Sequence, residues 1–368
     1  MPLQSSGAIS LDDIHQEVGG SANSNCSIND ADIRGLIDAS DGANTSFDDW
    51  YGASNVTPRG LFLGGSTNVN LDTIDYVTIA SAGNATDFGN LSNGRARSQK
   101  GDICSATRCL VAGGNGDGGG ATNTKFSDNE VDVVEYVEFS STGNAVDFGN
   151  LSANKEYMAG GSNATRGLTF GGYAGSQYIN DNYNVIDYFT IASTGNATDF
   201  GDTLAAIRQS CGTAGTTRAL VFSGTNGGTK DIIQYVTISS TGNCTDFGDC
   251  RSDGRNACAA SSNTRAVMSA HDAILDDGDA FANNQESEYV TIASTGNAID
   301  FGNLTIARNN RYSTSNKIRA LIGGGVSTNT NSVEYLTIAS TGNGTDFGDL
   351  TVARGDGSAG SSEHGGIA

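Results

Sequence analysis

Tyr76-Val-Thr-Ile-Ala-Ser-Ala-Gly-Asn-Ala-Thr-Asp-Phe-Gly89 is the most informative segment of the chain, because it occurs five more times with small changes. The spacings between successive Gly-Asn elements are 60, 52, 47, 54 and 46 residues. Those elements begin at Gly83, Gly143, Gly195, Gly242, Gly296 and Gly342. A phrase that recurs about every 50 residues indicates one supersecondary unit used repeatedly.

Each repeat unit has the pattern of four short strands. The last complete unit contains an apolar run that ends in glycines, 319–325, and an alternating β-branched run, 333–340. Gly342-Asn343 provides a turn, since both residues adopt positive φ readily, and another strand follows over 345–354. Small residues at 310–317 supply the fourth strand. Because four strands in about 50 residues are typical of a propeller blade, we predict an all-β, six-bladed β-propeller.

Several residues recur at the same position in every unit, and a ring of ligands is one interpretation of them. A residue needed in every blade is more often one that holds the blades together. We therefore expect the Phe of Asp-Phe-Gly to fill the space between neighbouring sheets and the Asp to bind turn backbone. These pairs are Asp87 and Phe88, Asp147 and Phe148, Asp199 and Phe200, Asp246 and Phe247, Asp300 and Phe301, and Asp346 and Phe347.

An arginine also opens the glycine-ended strand of each unit. We expect it to pair with a carboxylate between blades. The six are Arg59, Arg108, Arg166, Arg218, Arg265 and Arg319.

The two ends of the repeat region complement each other. The first unit starts at Arg59 without a preceding partner strand, and the last unit continues past Arg354 to Ala368. We predict that residues near 357–367 complete the first blade, so that the propeller spans 56–368 and its ring is closed by the C-terminal strand. Closure removes open sheet edges, which otherwise invite aggregation.

Residues 1–55 have a different pattern and predict a small helical module. Three Ser residues, Ser10, Ser27 and Ser46, each precede an acid by three positions, as at capped helix starts. Helices this short form little core alone, so the module is expected to lean on the propeller or on a partner protein. The candidate docking residues are Ile14, Ile33, Leu36, Trp50 and Tyr51.

Two resemblances to known families follow from these motifs. Glycine doublets such as Gly64-Gly65 and Gly323-Gly324, the Tyr that follows, and a closing Arg such as Arg354 resemble kelch repeats, although Phe stands where kelch repeats carry Trp. The segments SSGAISLDDIHQEVGG, SINDADIRGLI and SFDDWYGAS resemble the N-terminal module of tailed-bacteriophage structural proteins, notably those of cyanobacterial and marine hosts. The second resemblance implies a virion protein with an attachment module in front of an exposed domain.

Composition excludes several classes of function. The net charge is −21 without a basic patch, which argues against nucleic-acid binding. No apolar run is long enough to span a bilayer, and the N-terminus lacks the pattern of a signal peptide. The seven Cys have no regular spacing, so they indicate a reducing cytosol rather than a disulfide framework. A metal site formed by Cys244, Cys250 and Cys258 is an alternative without a C-x-x-C pair.

Catalytic motifs are missing from the sequence, so we expect a protein that is not an enzyme. The chain has three His and shows no nucleophile–base pattern, and no cofactor is expected. Two insertions, 115–130 and 270–279, carry carboxylates that could bind Ca²⁺, with hydrated loops as the alternative. A third, 173–183, brings together Tyr173, Tyr178 and Tyr183 as a candidate recognition patch or simply a longer hairpin.

These observations favour a non-enzymatic virion structural protein, made in the host bacterial cytoplasm. Its N-terminal module would dock to other virion proteins of the tail or of a fibre-like appendage. The propeller would face outward, toward a host-surface glycan or protein, with a homo-oligomer as a further expectation. A capsid decoration protein without a receptor role, and a carbohydrate-binding or hydrolytic propeller, are the alternatives.

Overall fold

The computed structural model describes residues 3, 9–23, 25–35, 46–47, 58–116, 130–175, 180–269, 272–273, 282–283, 285–326 and 330–367. The chain divides into two compact units, Met1–Thr57 and Pro58–Ala368. The second unit confirms the predicted six-bladed β-propeller, in which six sheets of antiparallel strands repeat along the chain.

Each blade runs from an inner strand to an outer strand. The inner strands of blades 1 and 3–6 are Ser358–Ser361, Ala159–Ser162, Cys211–Ala214, Cys258–Ser261 and Tyr312–Ser315. The second strands are Arg59–Leu63, Arg108–Ala112, Arg166–Phe170, Arg218–Thr225, Arg265–Ser269 and Arg319–Gly323. The third strands are Thr73–Thr78, Val133–Glu138, Val185–Thr190, Thr229–Thr237, Glu286–Thr291 and Ser332–Thr337. The outer strands are Thr86–Asn90, Val146–Asn150, Thr198–Asp202, Thr245–Arg255, Ile299–Asn303 and Thr345–Asp349.

Short additional strands decorate the blades. They are Arg95–Ala96 with Asn115–Gly116, Tyr173–Gly175 with Asn180–Asn182, and Asp272–Ala273 with Ala282–Asn283. In blade 2 the inner position is held by an isolated bridge between Cys104 and Cys109 instead of a longer strand.

The ring is closed by non-covalent pairing of the two ends of the propeller. Ser358–Ser361 pairs antiparallel with Arg59–Leu63, so the last strand of the chain is the inner strand of blade 1. Beyond it, Gly365–Ile367 forms a 3₁₀ turn against the inner strands of blades 3, 4 and 5. This pairing leaves no unpartnered edge on Arg59–Leu63.

The hydrophobic core is distributed among the six interfaces between blades. Phe88 of blade 1, for example, packs in one cluster with Val137 and Phe139 of blade 2, and all three are buried. Five further clusters combine side chains of each remaining pair of neighbouring blades. Burying a Phe side chain contributes about 1.5–3 kcal/mol, so hydrophobic stabilisation is concentrated at these interfaces.

A β-bulge in every outer strand explains why Phe follows Asp in the repeated phrase. In blade 1, Asp75 lies opposite Asp87 and Ile74 lies opposite Gly89, so Phe88 is an extra residue in its strand. The same irregularity recurs in the other five blades. A bulge redirects its side chain, and here it places the Phe between sheets while the preceding Asp stays in solvent.

The glycine doublets occupy left-handed backbone after the second strand. Gly64 and Gly65 have φ of +59° and +103°, a region that favours glycine. In blade 6 the equivalent pair is Gly324-Gly325, one residue later than the doublet chosen from the sequence. The pair lies later because Gly323 is still part of the second strand.

Two of the three expected helices lie within the described part of the N-terminal unit. Leu11–Glu17 begins after Ser10, whose side chain and that of Asp13 form a reciprocal capping box. The second helix is Ala31–Gly35. Of the third expected helix, only its Ser46 start and Phe47 fall within the described residues. No helix in the described ranges is long and apolar enough to cross a membrane.

Candidate functional site

The Gly-Asn turn of each blade is the main polar connection between blades. Its Asn Oδ1 accepts a hydrogen bond of 3.0–3.1 Å from a backbone amide in the outer strand of the preceding blade. The acceptor and donor residues are Asn84 and Asp349, Asn144 and Asn90, Asn196 and Asn150, Asn243 and Asp202, Asn297 and Asp249, and Asn343 and Asn303. The turn Gly also donates its amide hydrogen to the Phe carbonyl of that strand.

The Asp of Asp-Phe-Gly is exposed in all six blades, whereas the Phe is buried. The expectation that this Asp binds turn backbone was wrong, because none of these six Asp side chains hydrogen-bonds to the turn. The repeated polar contact belongs instead to the Asn of the turn, which accepts the outer-strand amide hydrogen of the preceding blade. Each Phe ring instead packs edge-to-face on the Tyr of its own blade, with ring centroids 5.8–6.3 Å apart.

The repeated Arg joins blades through carbonyl oxygens. Each guanidinium lies over the Tyr ring of its own blade, 4.6–5.0 Å from the ring centroid. It also donates a hydrogen bond to the next blade; Arg59 Nη1, for example, donates to the Phe139 carbonyl at 2.8 Å. Arg319 closes the circle by donating to the Ala80 carbonyl of blade 1 at 2.9 Å. The expected pairing with a carboxylate of the next blade was therefore wrong.

A second row of polar contacts lies deeper between the blades. The residue before each Tyr accepts a backbone amide hydrogen from the preceding blade, as Asp187 does from Ser152. At four of the six interfaces this residue also forms a buried ion pair. The pairs are Arg95 and Glu135, Lys155 and Asp187, Arg308 and Glu334, and Arg354 and Asp75. Gln234 and Glu288 occupy the position at the other two interfaces, and burial raises the pKa of Glu288.

The repeated residues are thus used to assemble the ring, and function must be sought where the blades differ. One groove of 190 Å³ lies beside Tyr136 and Gly143, but its lining belongs to the repeated phrase. The start of the inner strands is different. Six non-glycine residues there have φ of 53–58°, a left-handed conformation that costs about 1–3 kcal/mol each. They are Arg97, Tyr157, Gln209, Asn256, Asn310 and Asp356.

These six left-handed residues form a ring, which we call the mouth ring. Backbone hydrogen bonds join five of the six neighbouring pairs: the Tyr157 amide donates to the Arg97 carbonyl at 2.7 Å, for example, and the Gln209 amide donates to the Tyr157 carbonyl at 2.9 Å. The Arg97 amide donates in turn to the Asp356 carbonyl at 2.7 Å. The backbone of this ring repeats, whereas its side chains are nearly all different. The mouth ring therefore combines a repeated backbone with varied side chains, of which those of Asn256 and Asp356 are buried and the other four are half-buried.

Charged and aromatic side chains cluster at one arc of the mouth ring. Arg97 lies over the Tyr157 ring at 5.0 Å and 3.5 Å from Glu156 Oε1. Burial raises the pKa of Glu156 to about 7, with Arg97 opposing the shift. Burial and the nearby Asp356 raise the pKa of Tyr157. Guanidinium groups, phenol rings and amides in one place suit the recognition of a polar ligand.

Tyr173 and Tyr183 of the predicted recognition patch lie beside this arc. The Tyr173 backbone pairs with that of Glu156, and its ring lies 4.2 Å from the Arg208 guanidinium carbon. The Tyr183 ring lies 5.8 Å from Lys155 Nζ, and both tyrosines are half-buried. Tyr178 lies outside the described residues. The structure therefore brings two of the three tyrosines to the basic residues next to the mouth ring.

The three insertions noted in the sequence all follow a second strand, at the end of the blades that carries the mouth ring. Their described bases include the bridge between Asn115 and Glu130 and the hairpin of Tyr173–Gly175 with Asn180–Asn182. Most of the two candidate Ca²⁺ loops falls outside the described residues. Within the described ranges, no group of three or more His, Cys, Asp or Glu could hold a metal ion. Cys244, Cys250 and Cys258 belong to three different hydrophobic clusters, so they do not form one site.

The channel beneath the mouth ring is filled by the chain itself. In blade 2 the segment Gln99–Asp102 crosses toward other blades: Lys100 Nζ donates to the Asn256 carbonyl at 3.2 Å, and Asp102 accepts from Thr314 Oγ1 at 2.8 Å. Both side chains are buried, and burial raises the pKa of Asp102 to about 8. Sequence reasoning missed this plug. The sequence does contain a sign of the extra residues in this segment. The spacing from Arg95 to Arg108 is 13 residues, whereas the equivalent spacing in blade 4, from Arg208 to Arg218, is 10.

The far end of the channel is covered by the C-terminal residues. His364 Nε2 lies 3.0 Å from the Cys104 carbonyl and 3.1 Å from Ser162 Oγ. The Gly366 amide donates to His364 Nδ1, so Nε2 carries the proton that reaches Cys104. Burial lowers the pKa of His364 to about 4, which keeps the ring neutral at ordinary pH. His364 therefore fastens the tail of the chain inside the ring.

The predicted docking residues of the N-terminal unit have a different setting. Ile14 and Ile33 are fully buried and pack together with Leu3 in the interior of that unit. They stabilise the unit, and a docking surface would use its exposed side chains. Leu36, Trp50 and Tyr51 lie outside the described residues.

Fold and site together define a six-bladed β-propeller whose blades are joined by repeated residues and whose mouth ring varies. Comparison with protein-family models and with curated proteins finds no match to the chain.

Proposed function

We propose that the protein is a non-enzymatic structural protein of a tailed-bacteriophage particle, attached through its N-terminal unit and displaying its propeller outward. The attachment role rests on the resemblance of the three motifs in residues 1–55 to phage attachment modules. The division of the chain at Thr57 is compatible with it, because an attachment module and a displayed domain need separate cores. In this proposal the propeller is of the kelch-like type, with Phe in place of Trp.

One observation supports the display role: the residues that differ from blade to blade lie together at one end of the blades. The residues that repeat in every blade form the contacts between blades, whereas the side chains of the mouth ring and the three insertions differ from blade to blade. A surface varied on a constant frame is the usual design of recognition sites. We assign host-surface recognition to this end, with a polar ligand such as a glycan as its chemistry.

Two experiments separate attachment from recognition. Cryo-electron microscopy of purified particles, compared with particles made with a chain that lacks residues 1–55, tests attachment. We expect density for the propeller in the first and its loss in the second. Absence of the full chain from particles would overturn the virion role.

Recognition is tested by adsorption of particles to host cells. The variant Arg97→Ala removes the charge at the arc, and Asp87→Ala is its matched control, because Asp87 is exposed on an outer strand away from the mouth ring. We expect Arg97→Ala to slow adsorption at least tenfold and Asp87→Ala to leave it unchanged. Equal adsorption by both variants, with normal incorporation, would leave a decoration protein as the function.

A further inference from the structure

Cys104 and Cys109 face each other across the turn between the inner segment and the second strand of blade 2. Both side chains are fully buried, and their Sγ atoms lie 2.8 Å apart. The Ser105 amide donates to the Arg108 carbonyl, and the Leu110 amide donates to the Ile103 carbonyl. This pattern makes the two cysteines a non-hydrogen-bonded pair of an antiparallel ladder.

Such a pair has the backbone geometry that a disulfide requires. In non-hydrogen-bonded pairs in general, the Cα atoms are about 4.5 Å apart, which is within the range of roughly 4.4–6.8 Å seen in disulfides. The backbone therefore needs little movement to bring the sulfurs into bonding distance. Cys250 and Cys258 are placed differently, since their sulfurs contact Met268 Sδ and the Ser269 carbonyl.

The surroundings of the pair leave room for two sulfurs. Gly360 of the closing strand lies against them, and a Cβ added there would come within 2.3 Å of both Sγ atoms. The Cys104 backbone is held by Ser162 Oγ at 2.8 Å and by His364 Nε2 at 3.0 Å. The pair thus lies beneath the C-terminal segment, which shields it from solvent.

We propose that Cys104 and Cys109 form an intramolecular disulfide when the protein is exposed to a small-molecule disulfide such as oxidised glutathione. One thiolate attacks the glutathione disulfide and releases one reduced glutathione; the second thiolate then attacks the mixed disulfide and releases the other. Two protein thiols are oxidised to one disulfide, one glutathione disulfide is reduced to two thiols, and the two protons lost by the protein thiols are taken up by the two released glutathione thiolates. The inference rests on the geometry of blade 2 and is independent of the proposed function.

The tryptic pattern of the chain allows a direct test. Trypsin cleaves after Lys100, Arg108 and Lys125, so a disulfide would link peptide 101–108 to peptide 109–125. The purified full chain is incubated with oxidised glutathione at pH 8, alkylated in denaturant and mapped by mass spectrometry. Because burial raises the pKa of Cys104 and slows reaction in the folded state, a second sample is refolded from urea with the same oxidant.

We expect the linked peptide, a loss of two of the seven alkylatable thiols, and a higher urea midpoint that falls again with reductant. Cys104→Ser should abolish the link, and Cys211→Ser, which replaces a buried cysteine of blade 4, should preserve it. Recovery of both peptides unlinked from both samples would overturn the proposal. A disulfide that joins any other two cysteines in the folded sample would overturn it as well.

Discussion

Asn84 and Asp349 hold the first and last blades together although 265 residues separate them: Asn84 Oδ1 accepts the Asp349 amide hydrogen at 3.1 Å. The same contact joins every other pair of neighbouring blades, so the closing interface is built like the internal ones. What differs lies within blade 1, because its inner strand Ser358–Ser361 and its second strand Arg59–Leu63 pair without a connecting loop and come from opposite ends of the propeller.

Removal of the C-terminal strand tests how the ring is closed. A chain that ends at Gly357 lacks the inner strand of blade 1 and leaves Arg59–Leu63 as an open edge. We expect it to aggregate and to lose cooperative urea unfolding. A chain that ends at Ser362 keeps the strand and loses His364, so we expect a cooperative transition at a lower midpoint. Equal stability of the two chains would contradict this role of the strand.

Two glycines at one interface predict opposite responses to the same substitution. Gly149 has φ of +150°, and a Cβ there would lie 2.4 Å from the Gly195 carbonyl oxygen. Gly195 itself has no atom within 4 Å of an added Cβ. We expect Gly149→Ala to lower the free energy of unfolding by about 2–3 kcal/mol. Gly195→Ala should change it by about 0.5 kcal/mol or less. Urea denaturation of both variants decides, and a tolerated Gly149→Ala would show that the blades can separate slightly at this point.

The ion pair of Lys155 and Asp187 is fully buried, with Nζ and Oδ2 2.7 Å apart. Lys155→Met leaves a buried carboxylate without its cation, so we expect a loss of about 3–5 kcal/mol in the free energy of unfolding. The double variant Lys155→Met, Asp187→Leu removes both charges and should recover most of that loss. A double variant as unstable as the single one would show that the amide acceptor role of Asp187 outweighs the charge.

The buried carboxyl of Asp102 predicts a pH dependence of stability. Its pKa is about 8 in the folded protein and near 3.8 when unfolded, so the folded state holds the proton more tightly. Stability from this group is therefore complete below pH 3.8 and is lost as pH rises toward 8. Glu156, with a pKa of about 7, acts in the same direction. His364, lowered to about 4, acts oppositely and reduces stability as pH falls from 6.5 to 4.

We therefore expect the melting temperature to decrease between pH 6 and pH 8, with His364 opposing this decrease only at the lower end of the range, below about pH 6.5. Asp102→Asn keeps the shape and removes the ionisation, so its decrease over this range should be clearly smaller than that of the unchanged chain. Thermal melts at pH 6, 7 and 8 measure the difference. Parallel curves for the two chains would mean that Asp102 is charged and compensated in the folded state.

The blade count and the strand pattern could be predicted from the sequence because they depend on local signals. The Gly-Asn turn and the alternating run before it are readable in any one unit. The burial of Phe88 and its equivalents could also be predicted locally, since a large apolar side chain in a strand of small and polar residues is expected to be the one that is buried. The sequence could not show that Asn84, rather than Asp87, contacts the backbone of another blade.

The periodicity was enough to establish that this protein contains six similar units, because a phrase that occurs six times is expected to form the same structure six times. Closure of these units into a ring depends on the pairing of Ser358–Ser361 with Arg59–Leu63. Tertiary structure alone decided what the repeats do to one another. The arginines stack on tyrosines and reach carbonyls of the next blade, and the insertion at Gln99–Asp102 fills the channel. The left-handed residues meet as one ring although they are far apart in sequence. These relationships depend on how the six sheets are placed around a common axis. A local sequence pattern does not specify the distances between residues of different sheets.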